Sequence, residues 1–357
     1  MTFSEIARIR LFNQQLNNPK FKSASTLLPW LAAVQGQEYA QAKWGLGLRL
    51  PTVNDSQVER EFTAGKILRS HLLRPTWHIV SAKDIRWMLK LTSPRVHQAN
   101  AYMYRQLELT NKIFKDSRAI ITKMLEGGKQ LTRDNINLVF KENKIVANGH
   151  RLSYIMMHAE LEGLVCSGAK QGNQFTYALL DERVKEEKDL EKDEALAELT
   201  RRYFFSRGPA TVKDFATWSG LTLTDCKRGI EMNKSQLREE IVEDAGYYFS
   251  RHTLQSIPSG PAIHLLPVYD ELIMGYKDRG AFFETQKRMK TKAWLAHDNM
   301  IEFDGQIIGT WKRVIDSKSV TITTQFFKPL TKNQSSAFDD AINRFSAFHK
   351  KEAKFNL

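Results

Sequence analysis

Two glutamines, Gln35 and Gln37, flank a glycine in the segment TLLPWLAAVQGQEYAQAKWGLGLR. A glutamine amide does not usefully accept a proton at neutral pH, so neither side chain can act as a general base. Its carbonyl can still orient a water molecule or direct a dipole at a developing positive charge, and each such preorganised group contributes on the order of 3 kcal/mol in other enzymes. The pair can therefore assist a reaction whose leaving group departs almost unaided.

The spacing of the two glutamines makes a demand on the backbone. On a helix, residues i and i+2 point roughly 200° apart and cannot share a face. If the chain turns at Gly36, both amides can face the same side, as in an extended segment. A paired role for Gln35 and Gln37 therefore requires the backbone to leave the helical conformation near Gly36.

Other residues with potential chemistry are explained more simply. Asp270 and Glu271 follow an apolar run, where they could be paired catalytic carboxylates, but such a pair more often caps a following helix. His71 and His78 are expected to be polar surface histidines. Most of the tryptophans lie at apolar-periodic positions and are expected in the core; Trp77, beside basic residues, is instead a candidate for stacking on nucleic acid.

No cofactor or metal motif is present in the sequence. Gly45 and Gly47 lack both a preceding strand and the third glycine of a dinucleotide fingerprint. Cys166 and Cys226 are the two cysteines, and neither lies in a CxxC motif, so we expect small buried side chains rather than a disulfide or a structural zinc site. We therefore expect no metal and no cofactor.

Composition restricts the partners and the compartment. The 357-residue chain has a formal net charge of +13, which favours a polyanionic partner such as nucleic acid, although the protein could also be merely basic. No run of 18 or more apolar residues is present, and the first ten residues are amphipathic and polar. These features predict a soluble cytoplasmic protein that does not contact a membrane.

Three stretches share an order of helix, helix, helix and β-hairpin, most clearly the middle one. In the middle stretch, Thr132 is a candidate N-cap, Gly163 a helix stop, and Gly172-Asn173 a turn between two strands. In the third, Thr222 or Thr224 caps the last helix, and a hairpin turns at Asp244-Ala245-Gly246. A generic helical bundle is the alternative, but a hairpin at the same place after each third helix favours repeated winged helices.

The first stretch fits this order less closely. Four helices are predicted, and the Gln-x-Gln segment falls at the turn between the second and the third. The fourth is a longer helix over SQVEREFTAGKILRSHLL. The strand RPTWHIVS follows, with Trp77 and Ile79 alternating with an outward His78, and then another helix.

These patterns predict an α+β protein of three tandem winged helix-turn-helix units and a C-terminal, mostly antiparallel β domain. The final domain is indicated by alternating strands and a hairpin signal at Asp304-Gly305. The predicted divisions are a first unit with the Gln-x-Gln motif, second and third units, and the β domain: residues 1–110, 111–185, 186–255 and 256–357.

Six segments together resemble the AlkZ-type DNA glycosylases, winged-helix proteins also related to the YcaQ group. The likeness runs from about residue 4 to about residue 350, and the order and spacing of its short motifs make it specific for the family. The segments are LAAVQGQEYAQAKWGLGLR, RPTWHIVSAKDIRWMLKLT, MHAELEGLVCSG, RRYFFSRGPATVKDFATWSGL, LLPVYDELIMGYKDR and IIGTWKR.

The resemblance implies a function and its residues. The family forms a concave DNA-binding surface and excises alkylated purines by hydrolysing the N-glycosidic bond. Its Gln-x-Gln or Gln-x-Asp motif matches Gln35 and Gln37, with Gly36 where an apolar residue is often found. Its first wing matches Arg74 through Val80, which implies DNA contacts there. The candidate contact residues are Arg74, Thr76, Trp77 and His78.

We therefore expect a monomeric, monofunctional DNA glycosylase that acts on double-stranded DNA with alkylated purines. Gln37 would position the attacking water and Gln35 would support that water or the sugar cation. The alternative is a winged-helix transcription regulator that binds DNA without catalysis. The size of the lesion, from a methyl group to a bulky adduct or a crosslink, and whether the base is flipped out of the stack are left open.

Overall fold

The computed structural model describes residues 1–185, 189–253, 260, 262–283 and 298–356. Part of the charged segment after Val184, most of the Pro/Gly/Ser boundary near residue 256, and Trp294 lie outside the described residues. The chain is mixed α and β with antiparallel sheets, so the α+β class expected from the sequence is confirmed. None of the helices described here has the length and apolar character needed to cross a membrane.

The helices are α1 (Phe3–Asn13), α2 (Ala24–Leu31), α3 (Tyr39–Leu48), α4 (Asp55–Thr63), α5 (Ile85–Gln106), α6 (Asn111–Leu125), α7 (Arg133–Glu142), α8 (His150–Leu161), α9 (Leu180–Arg183), α10 (Lys192–Arg207), α11 (Val212–Ser219), α12 (Leu223–Met232), α13 (Glu271–Met274) and α14 (Lys332–His349), with a 3₁₀ turn at Gly280–Phe282.

The strands are β1 (Ala33–Gln35), β2 (Ile67–Leu72), β3 (Arg74–Ser81), β4 (Leu131–Thr132), β5 (Val165–Ser167), β6 (Thr176–Leu179), β7 (Leu237–Val242), β8 (Ala245–Ser250), β9 (Ile263–Leu266), β10 (Asn299–Phe303), β11 (Gln306–Ile315), β12 (Ser319–Phe326) and β13 (Glu352–Asn356).

The chain divides into two compact units. Unit 1 comprises Met1–Val58, Ala197–Trp218 and Thr222–Leu357, and unit 2 comprises Glu59–Leu196 and Ser219–Leu221. The predicted boundaries after residues 110, 185 and 255 are placed by the repeated order of helices and hairpins, and not by compactness. The four-part division stays a prediction.

Unit 1 contains the C-terminal sheet, in the order β13-β12-β11-β10-β9. Its pairs are antiparallel except β12 with β13, as the sequence indicated, and its predicted turn at Asp304-Gly305 joins β10 to β11. On α3, a Cβ added at Gly47 would lie 2.5 Å from the ring of Phe348. Gly47 therefore allows α3 to approach the ring of Phe348 closely. This packing role accounts for the glycine, and no phosphate-binding role is needed.

Unit 2 contains the middle repeat, α6–β4–α7–α8–β5–β6. Thr132 caps α7 by accepting a hydrogen bond from the Asn135 amide, so the predicted N-cap is confirmed. Ile136, Phe140 and Ile155 are fully or almost fully buried in one apolar cluster with residues of the strands. The helical spacing of these residues therefore marks the buried faces of α7 and α8.

The long helix expected over SQVEREFTAGKILRSHLL is wrong. Helix α4 ends at Thr63, Gly65 has φ 72°, and β2 begins at Ile67. Glycine enters this left-handed region at little cost and commonly ends a helix there. Every residue of Ile67–Leu72 is buried, and β2 pairs antiparallel with β3, so strand pairing and burial decide the conformation.

The third repeat, α10–α11–α12–β7–β8, follows the predicted order. Its last helix is capped by Thr222, which accepts a hydrogen bond from the Asp225 amide. The hairpin turn comes at Glu243 and Asp244, both with positive φ, one residue earlier than expected. The expectation that Cys166 and Cys226 are buried is confirmed.

Candidate functional site

The Gln-x-Gln segment lies outside any helix. β1 ends at Gln35, and α3 begins at Tyr39 after a bend. The departure from helical backbone that a paired role requires is therefore confirmed. The sharp change of direction falls earlier than expected, at Ala32, whose φ is 62° and ψ −62°.

The two glutamines differ in exposure. Gln35 is 8% exposed, whereas Gln37 is exposed to solvent. An exposed amide can meet a substrate directly, while a buried one can fix the surrounding backbone or support its neighbour. The two positions are therefore suited to unequal roles.

A buried carboxylate holds the backbone of Gln35. The Gln35 amide donates to Oε1 of Glu271 at 2.8 Å, and Glu271 is only 2% exposed. The other oxygen, Oε2, accepts from Nη2 of Arg207 at 2.6 Å and from Nε1 of Trp218 at 2.9 Å. Both carboxylate oxygens are thus hydrogen-bonded, and a formal ion pair with Arg207 compensates the buried charge.

Arg207 also fixes the turn that precedes β1. Its Nη1 donates to the carbonyl of Leu31 at 2.7 Å, and its Nη2 donates to the carbonyl of Ala33 at 2.9 Å. These carbonyls flank Ala32, whose positive φ is costly for a residue with a Cβ. The guanidinium therefore stabilises a strained turn at the entrance to the Gln-x-Gln segment. We name this cluster of Arg207, Glu271 and Trp218 the clamp.

Asp270, the neighbour of Glu271, is also buried and paired with an arginine. It caps α13 by accepting from the Leu272 amide, so the helix-cap interpretation of this residue is confirmed. Its two oxygens accept from Arg49 at 2.8 and 2.9 Å. Burial acts to lower the pKa of Arg49, but the Asp270 carboxylate has the opposite effect, and the net pKa is raised. Asp270 and Glu271 each have an arginine partner, which makes them positioning groups in this structure.

Three residues of the β2/β3 hairpin keep partly exposed side chains: Arg74, Thr76 and Trp77. His78 is fully buried, and its Nδ1 lies 2.9 Å from the carbonyl of Thr76. The expectation that His78 points outward is therefore wrong. In this conformation its ring supports the strand and does not reach solvent.

Trp77 packs within unit 2 rather than projecting freely. The guanidinium of Arg69 lies 4.1 Å from the Trp77 ring centre and 4.5 Å from that of Phe175. The ring of His71 lies 4.0 Å from Trp77, and His71 is buried, so the surface role expected for it is wrong. These contacts leave the indole partly exposed and hold it in a fixed position.

His71 forms a short hydrogen bond from Nδ1 to Oε2 of Glu160, which is fully buried. Glu160 lines a cavity of about 410 Å³ together with Arg69, Trp77 and Phe175. This arrangement was not foreseen, because it depends on pairing between distant segments.

Sequence reasoning also missed Arg49 and Arg207. The only signal was an arginine inside an otherwise apolar or aromatic run, as in RRYFFSRG and WGLGLR. A buried arginine requires a carboxylate partner, and the pattern YDEL, distant in the sequence, supplies two.

Comparison with known proteins gives a consistent result. The family model for AlkZ-like DNA glycosylases matches residues 28–348. The chain is 23% identical over 328 residues to an interstrand DNA cross-link repair glycosylase from Streptomyces sahachiroi, with 87% of each chain covered. The solved structure of the Streptomyces sahachiroi DNA glycosylase AlkZ superposes with a TM-score of 0.81 at 19% identity and covers all of both chains.

Proposed function

The chain belongs to the AlkZ-like DNA glycosylase family, and we propose that it hydrolyses the N-glycosidic bond of purines alkylated at N7 or N3, leaving an abasic site. The relative from Streptomyces sahachiroi is named for the repair of interstrand crosslinks. We therefore extend the proposed substrates to bulky adducts and crosslinks at these positions. The reaction ends with the free base and an abasic site, without a covalent enzyme intermediate.

The chemistry of the substrate fits two neutral amides. Alkylation at N7 or N3 gives the purine a positive charge, so that it leaves readily and the sugar becomes oxocarbenium-like in the transition state. Gln37, which is exposed, positions the attacking water, and Gln35 supports that water or the sugar cation. Carbonyl dipoles fixed in advance stabilise such a cation without reorganising during the reaction.

The observation that carries this proposal is the clamp. A motif that works by orienting dipoles needs a rigid backbone, because small displacements reduce the electrostatic gain. The hydrogen bond from the Gln35 amide to the buried Glu271 provides that rigidity, and Arg207 fixes the carbonyls on both sides of Ala32.

We propose that the protein binds DNA through segments in which helices are followed by a β-hairpin. We interpret the three successive hairpins β2/β3, β5/β6 and β7/β8 as the wings of three tandem winged helices. Arg74, Thr76 and Trp77 are the proposed contacts on the first wing, and His78 supports them from inside the strand. A monomer with a net charge of +13 binds phosphates with an affinity that falls as the salt concentration rises.

The test is base release from methylated duplex DNA. The wild-type protein should release N7-methylguanine, measured by mass spectrometry, and leave alkali-labile sites only in alkylated DNA. Gln37→Ala should lower the single-turnover rate about 100-fold, which corresponds to loss of one preorganised group. Gln106→Ala is the matched control, since Gln106 is an exposed glutamine at the end of α5.

Two results would oppose the proposal. If neither methylated nor crosslinked DNA is processed, and the protein instead binds one sequence tightly, it is a regulator. If Gln37→Ala releases base at the wild-type rate, the enzyme function stands and the assignment of Gln37 is wrong.

A further inference from the structure

A cluster of two histidines and a glutamate lies in unit 2 and includes none of the residues assigned to base excision. His97 comes from α5, His158 from α8, and Glu162 directly follows α8. One potential ligand atom from each lies within 4.8 Å of the others. His97 Nε2 and Glu162 Oε1 are 3.0 Å apart.

The fold points these side chains at one another. His158 and Glu162 are four residues apart, which places them on one face of the helix. The hydroxyl of Tyr104 lies 2.9 Å from Nδ1 of His97, so the other ring nitrogen is turned toward Glu162. Phe114 stacks on His158 with ring centres 3.8 Å apart. The Tyr104 hydroxyl thus fixes the orientation of the His97 ring, as hydrogen-bond partners of metal-binding histidines commonly do.

Burial acts on both imidazoles in the direction that favours the neutral, metal-binding form. Burial lowers the pKa of His97, although Glu162 opposes the shift. Burial and the neighbouring His97 lower the pKa of His158 to about 4. Despite its short distance to Glu162, the buried Nε2 of His97 makes no hydrogen bond of normal geometry to any part of the chain that is described.

We propose that His97, His158 and Glu162 bind a divalent transition-metal ion of the Zn²⁺ type. Two imidazoles and one carboxylate form a donor set that zinc commonly adopts, with one coordination position left for a further ligand. Tetrahedral bonds of the usual length place the donors roughly 3.3 Å apart. His97 and Glu162 are already at 3.0 Å, and the other separations, at most 4.8 Å, must shorten by no more than about 1.5 Å to meet that value.

A cavity of about 270 Å³ adjoins the cluster and supplies room for the fourth ligand. Its walls include His158 and Glu162, together with Lys115 and Arg118. The positive charges of Lys115 and Arg118 repel a bare divalent ion but attract an anion that is bound to it. We infer that the fourth ligand is water or a small anion such as phosphate.

Metal binding would join α5 to α8 and stabilise unit 2. An ion that binds only the folded chain raises stability in proportion to the logarithm of its concentration over Kd. The Gln-x-Gln chemistry does not require this ion, so the proposal stands or fails independently of the proposed function.

The experiment uses the full chain after dialysis against EDTA. Calorimetric titration with Zn²⁺ should give one equivalent bound and a higher Tm, and Co²⁺ should give the intense visible absorption of a four-coordinate site. His97→Gln, His158→Gln and Glu162→Gln should each weaken Zn²⁺ binding at least tenfold. Tyr104→Phe should weaken it about tenfold by removing the support of His97.

The matched control is His150→Gln, an exposed histidine on the same helix as His158, which should bind Zn²⁺ as the wild type does. Circular dichroism establishes that each variant is folded. The proposal is overturned if wild type binds no Zn²⁺, if its Co²⁺ spectrum is the weak one of a six-coordinate aquo ion, or if the folded ligand variants bind as tightly as wild type.

Discussion

Two buried glutamates, Glu271 in unit 1 and Glu160 in unit 2, have very different partners. Glu271 accepts hydrogen bonds on both oxygens, from the Gln35 amide, Arg207 and Trp218. Glu160 bonds to His71 through one oxygen. Its other oxygen is buried and finds no hydrogen-bond donor among the side chains and backbone that the structure describes.

The difference lies in how completely the two carboxylates are paired. Glu271 has donors on both oxygens, from the Gln35 amide and the Arg207 guanidinium among others, as suits the anchor of a backbone segment that must stay rigid. Glu160 has a single side-chain partner among the described residues and lines a cavity of about 410 Å³.

The largest expected effect is that of breaking the clamp. Glu271→Gln leaves Arg207 buried without a counter-charge, because both are at most 2% exposed. Removing one partner of a buried ion pair costs about 3–5 kcal/mol. Urea denaturation at pH 7 should show this loss of unfolding free energy, and base release should fall because Gln35 loses its anchor.

The control is Glu231→Gln, which removes one partner of an exposed pair with Lys234. Solvent screens that pair, so the variant should unfold at the same urea concentration as the wild type. If Glu271→Gln costs no more than this control, the buried contacts do not anchor the segment.

Glu160→Gln is expected to cost less than Glu271→Gln, although both residues are equally deep. Glu160 has a single side-chain partner in the part of the chain that the structure describes, and the new amide can still hydrogen-bond to the ring of His71. The remaining loss, about 1–3 kcal/mol, is that of an imperfectly paired buried polar group. Urea denaturation of the two variants side by side gives the ranking, and the reverse order would refute the contrast between a fully paired and a partly paired carboxylate.

The parts that could be predicted from the sequence are those whose partners are near neighbours in the chain. Thr132, Thr222 and the turn at Asp304-Gly305 depend on near neighbours in the chain, and the structure confirms each. That the Gln-x-Gln segment leaves the helical conformation could also be predicted, because residues i and i+2 cannot face one substrate from a helix. The three-unit interpretation and the roles of the two glutamines stay predictions.

The failures involve strand pairing and burial, which the local pattern does not specify. The segment KILRSHLL has a helical pattern, but pairing with β3 makes it a strand. Gln35 and Glu271 are 236 residues apart, and no local pattern relates them. His78 follows the alternation of an exposed residue, yet it is buried. Burial and pairing across such separations are tertiary properties, which local propensity does not encode.

A further histidine, His349 in unit 1, is half-buried. Its Nε2 finds no partner among the groups that the structure describes. Burial lowers its pKa to about 4; Asp55 opposes the shift, whereas Arg313, Lys43 and Lys351 add to it. The unfolded chain therefore binds a proton at higher pH than the folded chain.

Because the folded pKa is depressed, His349 lowers stability as pH falls from about 6.5 to about 4, and it contributes no pH dependence above that range. His349→Phe should flatten this part of the stability profile, measured by urea denaturation at several pH values. His150→Phe alters an exposed histidine and should leave the profile unchanged. An unchanged profile in His349→Phe would show that burial does not control this titration.

The smallest expected effect on unfolding free energy is that of glycine at Ala32. Comparison with Ala33 separates backbone strain from side-chain packing beside the clamp. Ala32 has φ 62° and is fully buried, while its neighbour Ala33 lies in β1 and is equally buried. Glycine at either position loses a buried methyl, about 0.8 kcal/mol, and adds roughly 0.4–1 kcal/mol of unfolded-chain entropy. At position 32 alone, glycine also relieves backbone strain of about 1–3 kcal/mol.

Ala32→Gly should therefore lie between about 1 kcal/mol less stable and about 2 kcal/mol more stable than wild type, whereas Ala33→Gly should lose roughly 1–2 kcal/mol. Urea denaturation compares the two directly. The rate of base release should nevertheless fall in Ala32→Gly, because a freer turn no longer fixes the backbone that leads to Gln35. If both variants lose the same stability, Ala32 stores no strain, and the clamp acts only through the carboxylate that holds the Gln35 amide.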